Sequence, residues 1–226
     1  MTYSDVSPAI FLSRPNRFIA HALLGGEEIV CHVKNTGRCK ELLVPGAAVY
    51  VQKSENPLRK TQYSLIAVRK GGRLINMDSQ APNRVFCEHL QSGRYIEGIT
   101  RLKPEAACGN SRFDFYIEAG GRRIFIEVKG VTLEEDSAVL FPDAPTERGV
   151  RHLRELARCA AAGYEAHVVF VVQMSDVRYF TPNDTTHPAF GEALREAVAA
   201  GVKAVALDCA VEPDRLEIGG EIPIKL

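Results

Sequence analysis

The stretch Arg112–Gly130, RFDFYIEAGGRRIFIEVKG, decides how the chain folds, because two runs of aromatic and β-branched residues flank a Gly120-Gly121 pair. Adjacent glycines accept the positive φ values that a two-residue hairpin turn demands. With that turn Ala119 pairs with Arg122, and counting outward sets Asp114 opposite Glu127. Phe113, Phe115 and Ile117 then share one face with Ile124, Ile126 and Val128, while Asp114, Glu127 and Lys129 share the other. Directly opposed side chains have Cβ atoms about 5 Å apart, and two carboxylates so placed repel unless a cation compensates them. Lys129 lies about 6.6 Å further along the strand. Mg2+ or Mn2+ takes one or two carboxylates and keeps its other positions for water and phosphate. A neighbouring ammonium can orient the attacking water and offset phosphorane charge. Asp114, Glu127 and Lys129 are therefore candidate catalytic residues for phosphodiester hydrolysis, with Asp114 and Glu127 as the metal carboxylates. The competing reading is a solvated hairpin face, since E-x-K also arises from plain polar-out alternation.

Working towards the N-terminus, residues 1–80 read as strands and turns: RFIAHALL, EEIVCHVK, AAVYVQK, YSLIAVRK and RLINMD, with Gly25-Gly26 and Gly71-Gly72 as hairpin turns. A short helix within NTGRCKELLVPG would interrupt this five-strand order as in an oligonucleotide-binding (OB) barrel, and an SH3-like barrel remains open. After a boundary near DSQAP, the spacing predicts a helix carrying Val85, Phe86 and Leu90 and stopped by Gly93. Beyond the quoted hairpin, Thr146 can cap a helix whose apolar stripe is Val150, Leu153, Leu156, Ala157 and Ala160. AHVVFVV, apolar on both faces, suits the middle of a covered sheet. A further helix and strand follow, and RLEIGGEIPIKL reads as another Gly-Gly hairpin. The fold class expected is α/β (α+β): an N-terminal OB-like β-barrel over 1–80, then a mixed sheet with helices on its faces over 81–226.

Composition excludes several classes. With 226 residues, 25% charged and no net charge, the chain is that of an ordinary globular protein. No apolar run is long enough to span a bilayer and no secretory leader is visible, so the expectation is a cytoplasmic protein with no membrane role. The six cysteines show no CxxC or zinc spacing and are expected as free thiols. His21 and His32 could face each other across a hairpin as a polar pair. Charge is uneven, with 11 Lys/Arg against 6 Asp/Glu in residues 1–80 and 17 against 22 in the rest. That split permits a polyanion-binding module beside a metal-binding one, and equally fits chance variation in solvated charge.

An Asp followed by a strand bearing E-x-K, in helix-strand-strand-strand-helix-strand order, resembles the PD-(D/E)xK nuclease superfamily. More specifically, RPNRFIA, HVKNTGRCKELLVPG, APNRVFCEHLQSG, RFDFYIE, FIEVKGVTL and FPDAPTERGVRHLREL together resemble the sugar fermentation stimulation protein A (SfsA) family over nearly the whole chain. The resemblance implies an OB-like domain followed by a nuclease-like one, DNA binding, and a regulatory link to sugar (maltose) metabolism. It places Asp114 and Glu127 on the superfamily's metal carboxylates and Lys129 on its lysine. Glu88 falls near its optional helical acid, as a third metal ligand. The superfamily's literal Pro-Asp pair is absent, Phe113 preceding Asp114.

A nucleic-acid partner needs cations for phosphate. Arg17, Lys34, Arg38 and Lys40 in the first hairpin and its following loop are candidates, as is Arg148 at the TERG helix start. Phe18, Tyr50 and Tyr63 are candidate stacking aromatics. No base-reading motif is visible, so weak sequence preference is expected, with DNA the partner the resemblance favours. Three readings follow: a Mg2+- or Mn2+-dependent nuclease of DNA or RNA, a non-catalytic DNA-binding regulator that keeps the nuclease fold, and a protein-interaction module.

Overall fold

The computed structural model describes residues 1–226 apart from Thr36 and Asn110. In the first unit, β1 (Val6–Ser13), β2 (Ile19–Leu24), β3 (Glu27–Val33), β4 (Ala48–Lys53) and β5 (Tyr63–Lys70) form the barrel, and β6 (Arg73–Asn76) is appended to β5. Antiparallel pairing runs from β3 through β2, β1 and β4 to β5, and a parallel β3–β5 contact closes the ring. This is the OB order. The sequence reading missed β1, whose Pro8 and serines mask its alternation, and counted the appended β6 as the fifth barrel strand. Nor does the expected helix between β3 and β4 form. Among the described residues of that loop the chain makes a single turn, with Leu42 and Leu43 N–H donating to the Cys39 carbonyl, and Thr36 lies outside the description.

The second unit opens with α1 (Ala81–Gln91) and continues through β7 (Ile99–Cys108), β8 (Ser111–Ala119), β9 (Arg122–Val131), β10 (Leu133–Glu135), β11 (Ala138–Phe141), α2 (Glu147–Ala161), β12 (Glu165–Val172), β13 (Tyr179–Pro182), α3 (Pro188–Ala199), β14 (Lys203–Glu212) and β15 (Arg215–Ile222). The main sheet runs β15-β14-β12-β9-β8-β7. β12 lies between β9 and β14, parallel to both, and is buried almost end to end, as its unbroken apolar run requires. α1 covers one face, with Phe86 against Phe115, and α2 and α3 cover the other. Thr146 caps α2 by accepting the Gly149 N–H at 3.1 Å, and Val150, Leu153 and Leu156 are buried beneath it.

Several elements differ from expectation. β7, β10, β11 and β13 were not read from the sequence. The tail Gly-Gly is no turn: β15 runs straight through Gly219 and Gly220, which bulge opposite Asp208, and the hairpin turn lies between β14 and β15. A Cβ on Gly219 would lie 2.5 Å from the Asp208 carboxylate. His21 pairs across the hairpin with Val30 and bonds Glu28, while His32 sits opposite Ile19, so the two histidines do not face each other. All six cysteines are free. Met1–Tyr3, assigned with the barrel in the sequence reading, instead run beside β15, Tyr3 N–H donating to the Asp214 carbonyl. Among the described residues no helix is long and apolar enough to cross a membrane.

Candidate functional site

The β8–β9 turn is the two-residue type expected, with Gly120 and Gly121 at φ 56° and 76° and Ala119 paired with Arg122. Pairing holds out to Phe115 opposite Ile126. At Asp114 the ladder opens. Its Oδ2 accepts the Val128 N–H at 2.7 Å, and its Oδ1 accepts from Asn83 Nδ2 of α1 at 2.7 Å. Alternation slips at this residue: Phe115 packs on the α1 side, whereas Phe113 packs on the α2 side against Phe125 and His152. Phe113 therefore does not share the face of Phe115 and Ile117. Next to the slip, on β7, Glu105 takes a φ of 55°. An irregularity of this kind re-aims one side chain at the end of a ladder, here the Asp114 carboxylate onto the Val128 N–H of the E-x-K segment.

Glu127 is bonded to α2 through His152 and is 4% exposed. One oxygen, Oε1, receives both Lys129 Nζ and His152 Nδ1 at 2.6 Å. The other, Oε2, is buried and has no hydrogen-bond partner among the described residues. Burial raises the cost of the Glu127 charge, yet His152 and Lys129 outweigh it and hold the carboxyl below its usual range. Asp114 behaves oppositely. Burial and the Glu127 charge push it up, and the bonds from Val128 and Asn83, with the Lys129 charge, offset this only in part. Two carboxylates at one site whose environments drive them apart are a mark of functional chemistry.

The structure does not bring Glu88 to this pair. Its Oε2 is 2.7 Å from the Met1 amino group and its side chain is 53% exposed, because it projects from α1 beside β15 rather than from the Asn83 turn. Among the described residues no three His, Cys, Asp or Glu side chains group into a metal site on their own. What the pair does offer is two hard oxygen donors, one of them an orphaned buried acceptor. That fits Mg2+ or Mn2+ with the remaining positions left to water and phosphate.

Of the candidate phosphate contacts, Arg17, Arg38 and Lys40 line one cleft of about 470 Å3, floored by Phe11, Leu43 and Pro45. Arg14, which the sequence reading passed over, builds its wall by donating to the carbonyls of Arg17, Asn35, Gly37 and Arg38 at 2.7–3.0 Å. Phe18 is 54% exposed, whereas Tyr50 and Tyr63 pack at the edges of the core. Lys34 is not in the cleft. It is bonded at 3.0 Å to Asp78, which is 1% exposed, at the junction of the two units. Arg148 is exposed, and its Nε donates to His152 Nε2 at 3.3 Å. The sequence reading did not find Asn83 or His152. Both lie within the blocks APNRVFCEHLQSG and TERGVRHLREL, but each meets the site only through helix packing.

Comparison with known proteins extends over the whole chain. The model described as "SfsA N-terminal OB domain" matches residues 12–77, and that described as "Sugar fermentation stimulation protein RE domain" matches residues 80–215. A protein named sugar fermentation stimulation protein homolog from Desulfitobacterium hafniense strain Y51 is 60% identical over 226 residues, covering 100% of this chain and 99% of its own. The like-named protein of Ruminiclostridium cellulolyticum is 55% identical, with 100% of both chains covered. Among solved structures, that of Pyrococcus furiosus SfsA in complex with Ca2+ superposes with a TM-score of 0.90 at 31% identity, covering 100% of this chain and 98% of the other.

Proposed function

The chain belongs to the sugar fermentation stimulation protein family, and from that premise we propose that it is a nucleic-acid-binding phosphodiesterase that uses Mg2+ or Mn2+ at Asp114 and Glu127. The observation that carries the reading is Glu127 Oε2, a buried carboxylate oxygen with no partner among the described residues, beside a second carboxylate held at an electrostatic cost. A divalent cation would supply the missing partner and relieve the repulsion. The Ca2+ in the Pyrococcus relative supports metal binding in the family.

An ion held there by Asp114 and Glu127 would supply polarisation of the scissile phosphate and a lowered pKa for a bound water. The protein's own groups do the rest. Asn83 and the Val128 N–H fix the Asp114 carboxylate, so its orientation is set before any ligand arrives. Lys129, with a side chain only 14% exposed, keeps its ammonium against Glu127 Oε1, from where it can orient a water and offset charge on the phosphorane. The Arg17, Arg38 and Lys40 cleft supplies sequence-independent contacts to the backbone of DNA, the partner we favour, with Phe18 placed to stack on a base.

The test is incubation of the purified protein with labelled single- and double-stranded DNA and RNA in Mg2+, Mn2+ or EDTA, beside Lys129→Ala. Cleavage that needs metal, and falls by at least a hundredfold in Lys129→Ala while nucleic-acid binding persists, is the expected result. Binding without cleavage in every condition would overturn the enzyme and leave a regulator that keeps the fold. Absence of binding at low salt would remove both.

A further inference from the structure

We infer that His152, held by Arg148, is the positioning residue that turns Glu127 Oε2 towards the metal; the inference rests on the metal-dependent reading above. Glu127 has one carboxylate and two jobs. A buried carboxylate must be paired, and each bond it accepts from the protein removes a lone pair from a cation. The structure resolves this by stacking both protein donors on Oε1, Lys129 Nζ and His152 Nδ1 each at 2.6 Å.

Lysine alone would not hold the carboxylate plane, since its ammonium sits on a flexible four-carbon stem. His152 would. Its side chain is 5% exposed, it projects from the second turn of a capped helix, and Phe113 packs edge-on against its ring at 6.0 Å and 79°. Arg148, one helical turn earlier, fixes which nitrogen faces Glu127. A guanidinium has no acceptor, so the 3.3 Å contact is Arg148 Nε–H donating to the His152 Nε2 lone pair, which leaves Nδ1 as the N–H bonded to Glu127. The Arg148 Nε thereby becomes the outer member of a relay from Arg148 through His152 to Glu127, while the rest of its exposed guanidinium faces solvent. Groups that orient a metal ligand in this way are worth about 10- to 100-fold in metal affinity.

The experiment is calorimetric titration of Mn2+ into the EDTA-treated full chain, with circular dichroism confirming the fold of each variant. His152→Leu, close in volume and lacking the donor, should bind Mn2+ about 10- to 100-fold more weakly than wild type. Should His152→Leu fail to fold, two amide variants carry the comparison. His152→Asn places an N–H near the Nδ1 position and should recover most of the affinity, whereas His152→Gln places it near Nε2 and should not. Arg148→Ala should weaken Mn2+ binding several-fold. Wild-type protein that takes up no Mn2+ would overturn the metal reading itself. Wild-type binding matched by a folded His152→Leu, or by His152→Gln as well as His152→Asn, would overturn the relay alone, as would intact Mn2+ affinity in Arg148→Ala.

Discussion

At the scale of single residues the site is marked by a carboxylate the fold would rather not charge. Burial and the neighbouring Glu127 raise the Asp114 carboxyl above its ordinary range. Between its unfolded and folded values the native state binds the extra proton, so stability falls as pH rises through that interval, and above it the ionised group is a standing cost. Asp114→Asn removes the charge. It keeps an acceptor for the Val128 N–H, and the Asn83 amide can turn over to offer its oxygen to the new amide. The variant is expected to melt in EDTA at pH 7 no lower than wild type, yet to lose the metal-dependent rise in Tm. For wild type that rise corresponds to about 2.7 kcal/mol at a hundredfold excess over Kd. Paired melts with and without Mn2+ decide it, and a wild-type metal shift in Asp114→Asn would take this residue out of the ligand set.

Elements explain which parts of this site could be read from the chain. Glu127 and Lys129 were legible as candidates because one Gly-Gly turn sets a register and a strand has period two; the regularity reaches Phe115 and then fails, so Asp114 does not pair opposite Glu127 as that register expects. The slip at Asp114 leaves no trace in composition, and Phe113 looks like every other alternating aromatic. The same Gly-Gly signal misled in the tail, where Gly219 and Gly220 give way to the Asp208 carboxylate instead of turning the chain. Asn83 and His152 were out of reach because helix-to-strand contacts are set by packing, not spacing. Gly130 shows how close that packing is. A Cβ there would lie 2.7 Å from Pro82 Cγ in the first turn of α1 and 2.8 Å from Gln173 Oε1 at the end of β12. Gly130→Ala should therefore cost about 1–3 kcal/mol by overpacking and pry β9 from the helix turn that carries Asn83. Urea unfolding measures the first effect, and weaker Mn2+ binding the second; a variant as stable as wild type would show that α1 yields freely.

Across the whole molecule, barrel and sheet domain share one apolar core. A single apolar cluster runs from Val33, Leu65 and Val68 of the barrel to Val131, Val139 and Phe170 of the sheet domain. A buried acid clamps the same seam. Glu134 of β10, 6% exposed, binds Lys70 of β5 at 2.8 Å and Arg73 of β6 at 3.0 Å, and also accepts the Ser137 N–H at 2.6 Å. Burial opposes its charge, but these partners more than compensate and hold the carboxyl below its ordinary range. A carboxyl lowered in this way contributes stability that is fully present above the unfolded value of about 4.3 and is lost as pH falls through the folded value. Glu134→Gln keeps the shape and one acceptor, and both cations can still reach water, so its cost belongs with a lost charged hydrogen bond, about 1–3 kcal/mol. Urea unfolding of wild type should show one transition at pH 7, with the gap to Glu134→Gln constant down to about pH 5 and closing below about pH 4.3. A gap independent of pH would assign the seam to packing alone. Two separate transitions in wild type would mean that the shared core does not couple the proposed nucleic-acid cleft to the proposed metal site, and that each could then be studied as its own folding unit.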